Sequence, residues 1–239
     1  MTKKKTKIGT IISLDIPQIA NQLPSIGFDF ILIDLEHGSV SDASITSVIT
    51  AKKESCKILI RIAEIKESSI KHALDMGCDG IVAPRVESIS ELQTLVDYSY
   101  YPPIGKRSVG FCLANQYGHH FKEYTNHFQP IILPQVESVK GLEIAKQIVA
   151  YDRISGIFIG PYDLSMSLGI PGQFDKDQFI QPYQAIRELC AEQDKLFCTF
   201  ASNNQNLTEE IDKGTDMIAV GTDANLFLNT YLDLIKPLK

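Results

Sequence analysis

Eight short apolar or β-branched runs, each followed by an amphipathic helical pattern, constrain this 239-residue chain more than any other feature. The runs fall at 7–14, 28–34, 57–62, 80–83, 131–135, 156–159, 196–200 and 217–220. The helical patterns fall at 16–23, 43–53, 68–76 closed by Gly77, 89–99, 139–149, 178–193, 208–213 closed by Gly214, and 224–234. Strict alternation with short connections implies parallel strands joined by right-handed crossovers. Eight such units in this length predict a (β/α)8 TIM barrel, with a doubly wound open sheet as the alternative. No linker, low-complexity tract or charge block divides the chain, and 44% hydrophobic content is enough for one core, so 1–239 is expected to be a single domain. The one long connection, 100–130, carries Pro102-Pro103, Gly105, Gly110, His119 and His120; a connection that long is usually functional or an intersubunit arm. The two histidines themselves are read as loop residues.

A net charge of -6 argues against a nucleic-acid partner, whose phosphates call for a basic face. The Lys3-Lys4-Lys5 run reads as a solvated terminus. The apolar run behind it is interrupted at Asp15, so it does not make a signal peptide, and no stretch approaches a membrane span. The expectation is a soluble, cytoplasmic protein. Cys56, Cys78, Cys112, Cys190 and Cys198 are odd in number and form no C-x-x-C pair, which predicts reduced and mostly buried thiols.

In a barrel of this kind the site lies at the carboxyl ends of the strands. Gln135 and Glu137 stand two apart where the fifth strand runs out, so an amide and a carboxylate share one face. The sixth strand breaks at Gly160-Pro161-Tyr162-Asp163, leaving a second carboxylate at the mouth of a helical-looking segment. The second strand ends in Asp34-Leu35-Glu36-His37-Gly38, the third carries Arg61, and the fourth ends in Pro84-Arg85. Two carboxylates on successive strand ends suggest a metal site. Each residue also has a plainer reading. Glu137 alone would be a solvated acid, Asp163 an N-cap, and Arg61 an ion-pair partner for Glu64 or Asp34.

The motifs 28–38 (Phe-Asp-Phe-Ile-Leu-Ile-Asp-Leu-Glu-His-Gly), Ile60-Arg61, Ala73-Leu74-Asp75-Met76-Gly77, Pro84-Arg85-Val86-Glu87, Tyr101-Pro102-Pro103-Ile104-Gly105-Lys106-Arg107, Gln135-Val136-Glu137-Ser138 and Phe158-Ile159-Gly160-Pro161-Tyr162-Asp163-Leu164 occur together and in this order. In this the chain resembles the HpcH/HpaI aldolase family, the metal-dependent pyruvate aldolases of the phosphoenolpyruvate/pyruvate barrel superfamily. The resemblance spans nearly the whole chain. It implies that Glu137 and Asp163 hold a divalent metal, a hard cation such as Mg2+ or Mn2+, with Co2+ a further possibility. It implies a retro-aldol reaction that splits a 4-hydroxy-2-oxo acid into pyruvate, or a close 2-oxo acid, and an aldehyde through a metal-stabilised enolate. Arg61 would hydrogen-bond the enolate oxygen. His37, with Asp34 as a possible orienting partner, would move the proton at the aldehyde oxygen. Gln135 would position substrate or metal waters, and the backbone N–H groups of Tyr162, Asp163 and Leu164 would receive the substrate carboxylate.

Asp75 matches a family aspartate that reaches a neighbouring subunit's site, though a surface acid is equally consistent with its place before Gly77. A homo-oligomer, trimer or hexamer, is implied, with the last helix packed on a neighbour. The chain departs from the family at Arg85, where Met is common, at Ser108, where Gly is common, and at Asn115, where Arg is common; these positions would greet the aldehyde. Arg85 would bind an acidic or phosphorylated acceptor, or pair with Glu87 or Glu91. A lyase acting on a CoA thioester or phosphonate, and a barrel that binds a 2-oxo acid without turnover, are the alternatives. A Schiff-base mechanism needs a lysine at a strand's carboxyl end, whereas Lys57 begins its strand and Lys195 precedes one.

Overall fold

The computed structural model describes residues 5–238, so Lys3 and Lys4 of the basic run lie outside the described residues. Eight parallel strands, β1 (Lys7–Ile12), β2 (Phe30–Asp34), β3 (Lys57–Arg61), β4 (Gly80–Ala83), β5 (Ile131–Val136), β6 (Gly156–Ile159), β7 (Leu196–Ala201) and β8 (Met217–Thr222), close into a barrel in chain order. Helices alternate with them, giving the (β/α)8 TIM barrel expected from the strand–helix alternation.

The strands read as apolar runs because both of their faces are covered. On β2, Phe30 and Leu32 join Leu59, Val82, Leu133, Phe158 and Cys198 in the barrel interior, while Ile31 and Ile33 pack outward against the helices. Successive side chains alternate between these two faces. The inner set therefore continues, at the carboxyl ends, as Asp34 after Leu32, Arg61 after Leu59, Gln135 after Leu133 and Gly160 after Phe158. Burying each large apolar side chain contributes roughly 1.5–3 kcal/mol, and one inner residue per strand is enough to aim the next one, polar, into the mouth. Register adds a second constraint, since Asp34 stands directly beside Arg61 across the β2–β3 pair.

The helices depart from the predicted spans where proline, glycine or a cap intervenes. The 16–23 pattern is a short helix at Pro17–Ala20 followed by a tight turn at Leu23–Ser25, because Pro24 lacks the N–H that a continuing helix needs. The 139–149 pattern breaks at Ile144 into Val139–Glu143 and Ala145–Ala150. The 208–213 pattern starts earlier, at Asn204, because the Asn203 side chain accepts from the Asn206 N–H at 2.9 Å and caps it. The long connection has structure of its own, with tight helical turns at Leu113–Gly118 and a helix at Phe121–His127.

Four of the five cysteines are buried. Among the described residues no helix is long and apolar enough to cross a membrane. The last helix, Asp223–Ile235, buries none of its residues, and Leu226, Phe227, Leu228, Tyr231, Leu232 and Leu234 are all exposed.

Candidate active site

Arg61 is the centre of one half of the site. Its Nε and Nη2 donate to the two oxygens of Asp34 at 2.8 and 2.7 Å, and Nη1 lies 3.3 Å from Glu36. A two-pronged pair of this kind fixes the guanidinium plane as well as its position. Burial works to raise the Asp34 carboxyl, but the hydrogen bonds and charge of Arg61 outweigh it and hold the group below the usual range. Asp34 also accepts from the backbone N–H groups of Glu36 and His37 at 3.0 and 3.3 Å. It thus shapes the turn after β2 and does not orient the His37 ring. The nearest acid to that imidazole is Glu36, at 3.7 Å, and the ring is 68% exposed at the rim.

Glu137 is the centre of the other half. Its Oε1 accepts from the Arg85 N–H at 2.8 Å and its Oε2 from the Gln135 amide at 2.9 Å. Arg85 reaches this geometry with φ of 42°, in the left-handed region that costs a residue with a Cβ on the order of 1 kcal/mol. Its side chain turns away to Glu87 at 3.0 Å. A Cβ on Gly160 would lie 2.5 Å from Glu137 Oε2 and 3.3 Å from the Gln135 amide nitrogen, so only glycine lets the carboxylate rest against β6. Asp163 sits in the first turn of the helix Pro161–Ser167, exposed, and does not cap it; the cap position is Gly160.

Burial pushes the Glu137 carboxyl up to about 7, and the charges of Glu36 and Asp163 add to that against the Arg85 N–H and Arg61. Burial raises Glu36 as well, and Asp34 and Asp163 reinforce it. Gln135 Oε1 is buried and takes no hydrogen bond. Four carboxylates, Asp34, Glu36, Glu137 and Asp163, around one guanidinium, with an acceptor oxygen left over, make a site short of positive charge. Among the described residues no three His, Cys, Asp or Glu side chains converge as a metal cage. The excess of carboxylate oxygens, Glu137 and Asp163 among them, is the donor chemistry that fits a hard divalent cation.

His37, Arg61, Gln135, Gly160, Tyr162 and Asp163 line one pocket of about 170 Å3 with Ile11, Leu32, Phe158, Phe200 and Thr222. No lysine lines it; Lys57 pairs with Asp79 and Lys195 donates to the Ile154 carbonyl. Asp75 lies outside this pocket, 2.7 Å from the fully buried Arg107, which Tyr101 and Tyr124 flank. Asn115 is buried and ties its own loop, accepting from Cys112 and Gly118 and donating to Gly110. Ser108 is exposed and nothing in the structure explains it. Glu36 and Gly160 stand in the strand-end motifs without an assigned role. The two-residue spacing that pairs Gln135 with Glu137 also sets Glu36 on the face of Asp34, but the part of Gly160 becomes visible only once Glu137 is seen against it.

A family profile described as HpcH/HpaI aldolase/citrate lyase matches residues 7–230. The chain belongs to this family. Among relatives of this aldolase-type carbon–carbon lyase, the hydroxypyruvate/pyruvate aldolase of Roseobacter denitrificans is 31% identical, over 96% of this chain and 91% of the relative. The 2-keto-3-deoxy-L-rhamnonate aldolase of Klebsiella pneumoniae is also 31% identical, over 95% of this chain and 86% of the relative. A crystal structure of a family protein from Burkholderia cenocepacia superposes with a TM-score of 0.91 at 22% identity, covering 98% of this chain and 95% of that one, which is a likeness of fold.

Proposed function

We propose that the chain is a divalent-metal-dependent, class II aldolase. It reversibly cleaves a 4-hydroxy-2-oxo acid to pyruvate, or a close 2-oxo acid, and an aldehyde. The observation that carries this reading is the Glu137 carboxylate, held by the Arg85 N–H and the Gln135 amide directly behind a pocket lined by Gln135, Asp163 and an Arg61 fixed by Asp34, where no described lysine takes part in the lining. Glu137 and Asp163 would hold Mg2+ or Mn2+, which as a Lewis acid polarises the 2-oxo group and stabilises the enolate.

The chain's own residues supply the rest. Arg61 presents a fixed cation where negative charge develops on the former carbonyl oxygen, and its two bonds to Asp34 mean that little reorganisation is needed. Gln135 orients Glu137 through its amide and keeps Oε1 for a donor on the ligand side. His37, at the solvent rim, is placed to pass a proton between the aldehyde oxygen and water, with Glu36 next to it. The N–H groups of Tyr162 and Asp163, in the first helical turn, would meet the substrate carboxylate; that of Leu164 is already given to the Gly160 carbonyl. Partners are small molecules, plus a second copy of the chain. The apolar, uncovered face of Asp223–Ile235 supports a homo-oligomer, and the buried thiols of Cys56, Cys78 and Cys190 support a cytoplasmic setting.

The test is exchange of pyruvate methyl protons in deuterated buffer, followed by NMR. Exchange that stops with EDTA and returns with Mg2+, Mn2+ or Co2+ is the expected result. Pyruvate binding without exchange under any metal would overturn the reading.

A further inference from the structure

A second cleft, also of about 170 Å3, lies behind the catalytic pocket and shares Pro161, Tyr162 and Phe200 with it. One wall is a column of rings, and Ser202, Asn206, Glu209 and Lys213 line the rest. Tyr162 meets Phe174 edge-on at 5.1 Å, Phe174 meets Phe179 at 5.2 Å, and Phe179 stacks on Tyr183 at 5.4 Å. The far end is pinned, because the Tyr183 hydroxyl donates to Glu210, which Arg187 and Thr215 also hold. The near end is not. Tyr162 is 47% exposed, and its ring, tilted against Phe200 at 6.2 Å, is the partition between the two spaces.

We propose that this cleft is the subsite for an apolar, aryl-bearing substituent at C3 of the 2-oxo acid donor, admitted when the Tyr162 ring swings aside. The inference rests on the reading of the catalytic pocket as a 2-oxo-acid aldolase site. The place of the donor carboxylate assigns the cleft to the donor. In the proposed site that carboxylate meets the Tyr162 and Asp163 N–H groups after β6, beside the cleft, whereas His37, which attends the aldehyde oxygen, follows β2 across the ring. An acceptor entering past His37 would leave its substituent on the opposite side from the cleft. Size fits as well, since a space of about 150 Å3 is enough for a benzene ring. Aromatic walls favour a planar ring through edge-to-face contact.

Two variants, Ile180→Trp and Gln184→Trp, fill the cleft from the helix Asp177–Glu192, and neither residue lines the catalytic pocket. Magnesium-loaded wild type and both variants are titrated calorimetrically with pyruvate and with 4-phenyl-2-oxobutanoate, whose C3 carries a benzyl group. The expected result is that wild type binds the aryl acid on the order of tenfold more tightly than pyruvate. Each filled variant should lose that gain and keep wild-type affinity for pyruvate. Two variants guard against one failing to fold. Wild type that binds pyruvate but gains nothing from the phenyl group, or a folded filled variant that keeps the gain, overturns the subsite alone. Wild type that binds both acids yet exchanges no C3 proton of either overturns the aldolase reading and leaves the cleft's ligand class standing.

Discussion

Replacing Glu137 by Gln should stabilise the metal-free protein while removing the chemistry it serves. The carboxyl is raised from 4.5 to about 7 in the fold. It is an acid whose folded pKa lies above its unfolded one, so between those values the native state holds a proton that the unfolded chain has lost. Stability from this group therefore falls as pH rises from about 4.5 to 7 and levels off above. The shift, about 7 minus 4.5, corresponds at about 1.4 kcal/mol per unit to a ceiling of about 3.5 kcal/mol at pH 8. Glutamine carries no charge and is nearly the same shape. Its oxygen can accept from the Arg85 N–H as Oε1 now does, and its amide can donate to Gln135 once that side chain flips to offer the oxygen that now lacks a partner. In EDTA at pH 8 the variant should melt higher by on the order of 10 °C at most. At pH 5 the gap should shrink to less than about 1 kcal/mol. Thermal and urea unfolding at both pH values, with and without magnesium, read this directly. Equal midpoints at pH 8, or a gap that does not narrow toward pH 5, would refute the raised carboxyl and with it the argument that the site is short of a cation.

Other perturbations probe the remaining contacts. Gly160→Ala places a Cβ 2.5 Å from Glu137 Oε2, so Mn2+ affinity should drop about tenfold or more while far-UV circular dichroism stays unchanged; undiminished binding would mean the carboxylate has another resting place. Asp34→Asn leaves Arg61 steadied by Glu36 alone, and pyruvate methyl exchange should slow on the order of 10- to 100-fold with a smaller change in pyruvate affinity; an unchanged rate would take the ion pair out of the mechanism. Arg107→Ala should cost about 3–5 kcal/mol in urea unfolding, more than Arg107→Met, because it empties a fully buried site and strips Asp75 of its partner. Borohydride added with pyruvate should label no lysine by mass spectrometry, and any labelled lysine would replace the metal mechanism with a Schiff base.

Repetition carried the fold in the sequence. Eight apolar runs alternating with amphipathic helices leave a chain of this length few ways to cover every strand on both faces, and the barrel is one. Gln135, Glu137 and Arg61 are placed at strand ends for the same reason, since a period of two puts a strand residue on a face whatever surrounds it, and Asp163 is placed by the break after the sixth strand. Distances across the barrel are not periodic, and there the sequence was silent. That Asp34 spends its carboxylate on Arg61 rather than on the His37 ring follows from strand register. That Glu137 is pushed to about 7 follows from burial and from Glu36 and Asp163, which are distant in sequence. Asn115 and Arg107 stand in the long connection, whose sequence marks it as functional or an intersubunit arm but not as packed, yet tertiary contacts bury both. The chain by itself determined which residues face the mouth of the barrel. Only closure of the barrel decided which of them touch, because charge, burial and close approach act through space and not along the chain.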